Sequence, residues 1–172
     1  MTAAALGAAA PPGKAFFDTN VLVYAHDASE PRKREVARAL ILEHLGTDTL
    51  CTSTQVLAEY FSVVTRKGEV PLSGQAANWL LEQLPAEAVV TPGLAGLRAA
   101  AVRCAAVSSA AAANSAASAL SIWDALIIEA ACEAGATLLY TEDAGLRRAL
   151  EADAGGLRAR DPFAVAAVDS VR

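Results

Sequence analysis

Short apolar segments alternate with longer segments of helical periodicity through most of this sequence. Strands are predicted at 16–18, 48–53, 88–92, 137–141 and 156–160. Helices are predicted at 21–26, 31–45, 52–68, 73–84, 93–107, 121–135 and 144–150, where apolar residues recur every three to four positions. Strands that alternate with helices favour a parallel sheet covered on both faces. We therefore expect an α/β fold, in which ligands bind beyond the carboxyl ends of the strands.

The length of 172 residues suits one domain with a substantial core. We place that domain at 14–163, between an Ala-rich disordered lead at 1–13 and a tail at 164–172. The lead has no basic segment followed by a Leu/Val-rich one, which disfavours a signal peptide, and no segment is apolar enough for a membrane span. A cytoplasmic protein is the expectation.

The charge balance does not decide whether the partner is a nucleic acid. The net charge is −5, from 19 Asp and Glu against 14 Lys and Arg, which by itself disfavours phosphate binding. If four of the acids bound cations, the remainder would come to −1, because 19 − 4 − 14 = 1.

Asp18 follows the buried-strand residues Phe16 and Phe17 and precedes a second apolar run. An ionised carboxylate in apolar surroundings costs several kcal/mol unless it is paired or bound to a metal. Something must therefore compensate Asp18.

Three further acids occupy positions that are unusual for surface residues. On a helical wheel, Asp124 falls on the apolar face of its helix, although it also suits a capping box with Ser121. Glu59 lies at the edge of an apolar stripe, which is compatible with a cleft and equally with an ordinary boundary position. Asp143 follows the strand at 137–141 and could simply cap the next helix.

A cluster of Asp18, Glu59, Asp124 and Asp143 would offer only oxygen ligands, which suit Mg²⁺ or Mn²⁺. No His is among these four residues, which disfavours zinc. Such sites activate water and clamp phosphate oxygens.

Four segments in order resemble the PIN domain family, and most closely its VapC-type toxin ribonucleases. They are "FFDTNVLVYAHD", "LAEYF", "SIWDALIIEAA" and "LLYTED", followed by "DPF". The resemblance implies a three-layer α/β/α sandwich around a parallel sheet. It also implies RNA cleavage with Mg²⁺ or Mn²⁺ and inhibition by a cognate antitoxin.

Matched residue by residue, the resemblance makes Asp18, Glu59, Asp124 and Asp143 the catalytic and metal-binding acids. Asn20, Thr19 and Thr141 would support them. Two features depart from the family pattern: the long Ala-rich lead, and an Ala/Ser-rich insertion at about 105–120 that affects the expected substrate range more than the chemistry.

Two other functions remain open from the sequence. A phosphatase could use Asp18 as a covalent nucleophile, since D-x-N superficially resembles the haloacid-dehalogenase motif D-x-D. Asn20 stands in place of the second acid of that motif, however, and cannot protonate a leaving group. A non-catalytic module could keep the fold and bind RNA without cutting it.

The expected partners are an RNA substrate, an antitoxin and a second copy of the chain, without a membrane. Arg66, Lys67, Arg147 and Arg148 are the candidate partners for substrate phosphates, or else solvated helix ends.

Overall fold

The computed structural model describes residues 13–67, 71–113, 120–151 and 155–164, without the side chains of 108–113. The expected lead at 1–13 and tail at 164–172 therefore lie almost wholly outside the described residues. Part of the Ala/Ser-rich insertion does so as well.

The centre of the fold is a parallel sheet of five strands in the order β3-β2-β1-β4-β5. The strands are β1 (Lys14–Phe17), β2 (Leu50–Ser53), β3 (Val89–Val90), β4 (Ala136–Tyr140) and β5 (Arg158–Arg160). The chain adds strands on one side of β1 and then crosses to the other side for β4. This reversal opens a crevice at the carboxyl ends of β1 and β4, where sheets of this kind bind ligands.

Helices cover the sheet on both faces, so that the molecule is a three-layer α/β/α sandwich, as the sequence predicted. They are α1 (Thr19–Tyr24), α2 (Pro31–Gly46), α3 (Thr54–Arg66), α4 (Gly74–Gln83), α5 (Leu94–Ala113), α6 (Ile122–Glu133) and α7 (Ala144–Glu151). Helix α3 packs against α1 and α4, and α5 packs against α6.

The core explains why the central strands are so apolar. Phe16, Phe17 and Leu139 have no exposed surface, because β1 and β4 are flanked by other strands and covered by helices. Ala125 to Ile128 are buried as well, which presses the first turns of α6 against the sheet.

Two details differ from the sequence-based expectations, and a third was left open. Helix α1 begins at Thr19, directly after Asp18, and the N-cap of α3 is Ser53, whose hydroxyl accepts a hydrogen bond from Val56 N. The sequence T-S-T-Q at 52–55 predicts a capping box of Thr52 and Gln55 at the start of this helix. That prediction is wrong, because Thr52 is still in the strand and donates to Phe17 O. The low-complexity Ala/Ser stretch after 107 could extend α5 or form a loop as far as the sequence shows. Helix α5 continues into it as far as Ala113, since Ala favours a helix.

The end of α6 was predicted correctly. Gly135 has φ +71°, a left-handed conformation that glycine adopts without strain after a helix. Within the described ranges, no helix has both the length and the apolar character that a membrane span requires.

Candidate active site

Asp18 is held at the carboxyl end of β1 by three hydrogen-bond donors. Its Oδ1 accepts from Thr19 N at 2.6 Å, and its Oδ2 accepts from Asn20 Nδ2 at 2.8 Å and from Thr141 Oγ1 at 2.6 Å. Thr141 follows β4, so the contact joins the ends of two adjacent strands. The two residues are 123 positions apart in sequence. The carboxylate therefore has a fixed position.

Burial makes the charge of this carboxylate costly. The side chain is only 5% exposed. Burial is the main cause that raises the pKa of Asp18 from its usual 3.8 to about 6, and the negative charges of Glu59 and Asp143 add to it. The hydrogen bonds from Thr141 and Thr19 lower the pKa but do not outweigh burial. Asp18 is thus a buried acid whose charge is only partly compensated by its neighbours.

The end of β4 supplies Asp143 through a short polar network. Thr141 Oγ1 accepts from Asn20 Nδ2 at 3.1 Å and from Asp143 N at 3.0 Å, and Asn20 Oδ1 accepts from Glu142 N at 3.2 Å. Asp143 Oδ1 accepts from Leu146 N at 2.7 Å and so caps α7, the role that the sequence left open.

Glu59 reaches the same region from α3. Its Oε2 accepts from Thr19 Oγ1 at 2.9 Å, although Glu59 is an exposed residue at the edge of the apolar face of α3. The short α1 therefore connects Asp18 to Glu59 through its first residue.

Asp124 combines a capping contact with a position in the cleft. Ser121 Oγ accepts from Asp124 N at 3.1 Å and donates to Asp124 Oδ2 at 2.7 Å. The capping interpretation of Asp124 is therefore correct, but the residue also faces the site, so the two interpretations do not exclude each other.

The four acids line one cleft of about 900 Å³. The cleft also includes Asp27, Tyr24, Gln55 and Trp123, which sequence reasoning missed. Asp27 lies just beyond α1 in a turn where its Oδ1 accepts from Ser29 N, and the sequence offered only its place at the end of the first resembling segment. The cleft thus carries five carboxylates.

The basic residues suggested by the sequence lie elsewhere. Arg66, Lys67, Arg147 and Arg148 are all described and none lines the cleft. Arg147 Nη1 pairs with Asp161 Oδ2 at 2.7 Å instead. Lys33 pairs with Glu142 and lies 4.2 Å from the ring centroid of Tyr24, at the edge of the site. Among the residues that line the cleft, charge is entirely negative.

The cleft suits a hard cation in its chemistry, because its charged groups are carboxylates and one of them is buried with incomplete compensation. In the part of the chain that the structure describes, however, no three His, Cys, Asp or Glu side chains lie close enough together to hold a metal ion. Glu59 and Asp124 each give one oxygen to a hydroxyl group. Cation binding would require carboxylates of the cleft to come closer together.

Solved structures show the same fold. One, titled FitAB bound to the IR36 DNA fragment, aligns with a TM-score of 0.60 at 17% identity over 88% of this chain and 97% of that chain. Another, FitAcB from Neisseria gonorrhoeae, aligns with a TM-score of 0.56 at 20% identity over 88% and 99%. Comparison with curated proteins finds no match.

The sequence profile of the PIN domain matches residues 15–151, which include all four predicted acids and most of the chain. Members of this family are in general nucleases. The described fold, the crevice between β1 and β4 and the profile match agree, and the chain belongs to the PIN domain family.

Proposed function

We propose that this protein is a divalent-metal-dependent endoribonuclease and the toxin of a toxin–antitoxin pair. The observation that carries the proposal is that Asp18, Glu59, Asp124 and Asp143, from four different parts of the chain, line one cleft at the switch point of the sheet. The family resemblance of the surrounding segments supports RNA as the substrate.

In this proposal Asp18 is the fixed ligand, because three donors hold its orientation before any cation arrives. Asp124, Glu59 and Asp143 complete the ligand set from the open side of the cleft. When bound, Mg²⁺ or Mn²⁺ would lower the pKa of a water molecule and offset the charge on phosphate oxygens.

The negative cleft gives the cation a second role. Five carboxylates repel a phosphate, and the described lining residues include no Lys or Arg to balance them. RNA should therefore enter the cleft only with a cation.

The test is cleavage of a single-stranded RNA with Mg²⁺, with Mn²⁺ and with EDTA. We expect cleavage with either cation and none with EDTA. Full cleavage in EDTA would refute the metal mechanism, and RNA binding without cleavage at any cation concentration would favour a non-catalytic module. DNA of the same sequence, included because the FitAB neighbour is bound to DNA, tests the choice of RNA.

We also propose that the antitoxin supplies an Arg or Lys to the cleft when it inhibits the protein. A guanidinium can pair with two carboxylate oxygens at once and would replace the cation in the same negative field. The measurement is a structure of the inhibited complex. A partner that contacts only a remote face and leaves the cleft open to solvent would contradict this part of the proposal.

The proposal includes a homodimer, since large apolar side chains remain exposed away from the cleft. Leu42 is 70% and Trp79 is 56% exposed, and both line a groove of about 670 Å³. Sedimentation equilibrium of the parent and of Trp79→Ser measures the self-association. A monomeric parent at all concentrations would remove this part of the proposal.

A further inference from the structure

A second groove adjoins the acidic cleft, and the two share Gln55 and Trp123. The second groove has a volume of about 470 Å³ and is lined by uncharged residues, among them Thr54, Pro92, Leu94 and Leu97. Trp123 therefore lies between the acidic cleft, where the phosphate would react, and the uncharged second groove.

Trp123 is unusually exposed for its place in the fold. It is 65% exposed in the first turn of α6, whereas Ala125 to Ile128 of the same helix are buried. Trp123 directly precedes Asp124, so the two Cα atoms are about 3.8 Å apart. Its backbone oxygen accepts from Gln55 Nε2 at 3.3 Å, which ties the ridge between the two grooves to α3.

We infer that Trp123 is the stacking platform for a nucleobase next to the scissile phosphate, and that it makes the enzyme prefer single-stranded RNA. This inference rests on the proposed function. A base and its phosphate belong to one nucleotide, and Trp123 and Asp124 are adjacent residues that line one cleft. The groove beyond Trp123 suits a base, and its described lining has no positive charge for a phosphate.

The physical basis is the stacking of aromatic faces. Every base presents a π-face, so stacking on an indole binds single strands without strict sequence choice. A duplex hides these faces between its base pairs, and sequence recognition in RNA targets unpaired, splayed bases. An exposed indole beside the catalytic acids therefore selects unpaired RNA.

The experiment uses the full chain, which contains two tryptophans, Trp79 and Trp123. In Trp79→Phe, the remaining tryptophan reports directly on Trp123. A short single-stranded RNA of mixed sequence is added with Mn²⁺ in a stopped-flow instrument, and fluorescence is read before cleavage proceeds. We expect saturable quenching by the single strand and little change with the same strand annealed to its complement.

A matched pair of variants measures the contribution of the indole. Trp123→Leu should weaken binding of the single strand about 5-fold to 150-fold, as expected for the loss of one stacked base. The effect should appear in KM more than in kcat, and Trp123→Phe should recover part of it. Phe61→Leu, which alters an exposed aromatic side chain outside the cleft, the second groove and the groove of Trp79, should leave KM unchanged.

The outcomes separate this inference from the proposed function. Cleavage without quenching, or with parental KM in Trp123→Leu, would overturn the stacking role and leave the nuclease intact; the exposed indole would then fit a protein partner better. Quenching without cleavage would overturn the nuclease and keep the platform. A parent that neither binds nor cuts RNA would overturn both.

Discussion

The two sides of the acidic cleft hold their carboxylates in different ways. On the sheet side, Asp18 is 5% exposed and receives three hydrogen bonds from residues at the ends of β1 and β4. On the helix side, Glu59 is exposed and Asp124 is partly exposed, and each accepts one side-chain hydrogen bond from a nearby hydroxyl group. The sheet side fixes one carboxylate at a cost in desolvation, and the helix side keeps its carboxylates partly or fully solvated.

This difference limits the electrostatic repulsion among the acids of the proposed metal site. A second buried carboxylate beside Asp18 would add repulsion in a medium of low dielectric constant. Exposed acids are screened by water, so the fold tolerates them, and in the proposed function a cation would bring them closer together. The three predictions that follow test this comparison, from the largest expected effect to the smallest.

The largest effect is expected from Asp124→Asn on the helix side. RNA cleavage should fall by orders of magnitude, because the cation loses a ligand and with it both the activated water and the phosphate clamp. The metal-free protein should be equally stable or more stable, because a negative charge leaves the cleft. The measurement is an RNA cleavage assay together with melting curves with and without Mn²⁺. Mn²⁺ should raise the melting temperature of the parent, and the variant should lose most of that increase.

The control is Ser121→Ala, which removes the cap and keeps the charge of Asp124. It should cost about 1 kcal/mol of stability and retain cleavage. If Asp124→Asn instead lowered the melting temperature of the metal-free protein and left cleavage intact, Asp124 would be only a capping residue.

The second prediction concerns Asp18 and pH in the metal-free protein. The folded chain keeps the proton on Asp18 up to a pKa of about 6, whereas the unfolded chain loses it near 3.8. Between these values the folded state binds more protons, so the unfolding free energy falls as pH rises, by about 3 kcal/mol in all. The stability that protonated Asp18 contributes is complete below pH 3.8 and lost above about pH 6.

The measurement is denaturant unfolding of the parent and of Asp18→Asn across this pH window. The difference in unfolding free energy between parent and variant should fall as pH rises, because the variant lacks the titrating group. Saturating Mg²⁺ or Mn²⁺ should move the window to lower pH, since the cation favours the charged carboxylate. Parallel pH curves for parent and variant would show that burial does not govern Asp18.

The smallest effect is expected from Thr141→Val, which tests the hydrogen bonds on the sheet side. The change should cost about 1–3 kcal/mol, because a fully buried site loses one partner of several hydrogen bonds. The pKa of Asp18 should rise further, because the bond from Thr141 lowers it. The acid limb of the cleavage profile should therefore move to higher pH.

Thr52→Val is the matched control for this third prediction. Thr52 is equally buried and donates to Phe17 O at 3.0 Å, but the structure shows no contact between it and a carboxylate in the described region. It should lose comparable stability and leave the pH profile in place. An equal shift of the profile in both variants would mean that general loosening, and not the Thr141 bond, sets the pKa of Asp18.

Local pattern was sufficient for most of the fold. The strand–helix alternation predicted the parallel sheet, and Gly135 marked the end of α6 correctly. The error at α3 has a local cause, since Thr52 and Ser53 are both good capping residues and only the length of β2 decides between them. The extent of α5 was open because an Ala/Ser stretch fits a helix or a loop, and packing against α6 is not visible in sequence.

The sequence by itself indicated that Asp18 and Asp143 follow strands of a parallel sheet and that Asp124 lies in the first turn of a helix, because these positions depend on short-range periodicity. Only the tertiary structure decided what surrounds them. Asp27, Gln55 and Trp123 line the same cleft because chain folding brings distant segments together, and local sequence periodicity does not predict this. The same holds for the environment of Asp18, whose pKa depends on burial and on Thr141, a residue 123 positions away. Desolvation and charge interactions are sums over neighbours in space, and a sequence specifies neighbours only along the chain.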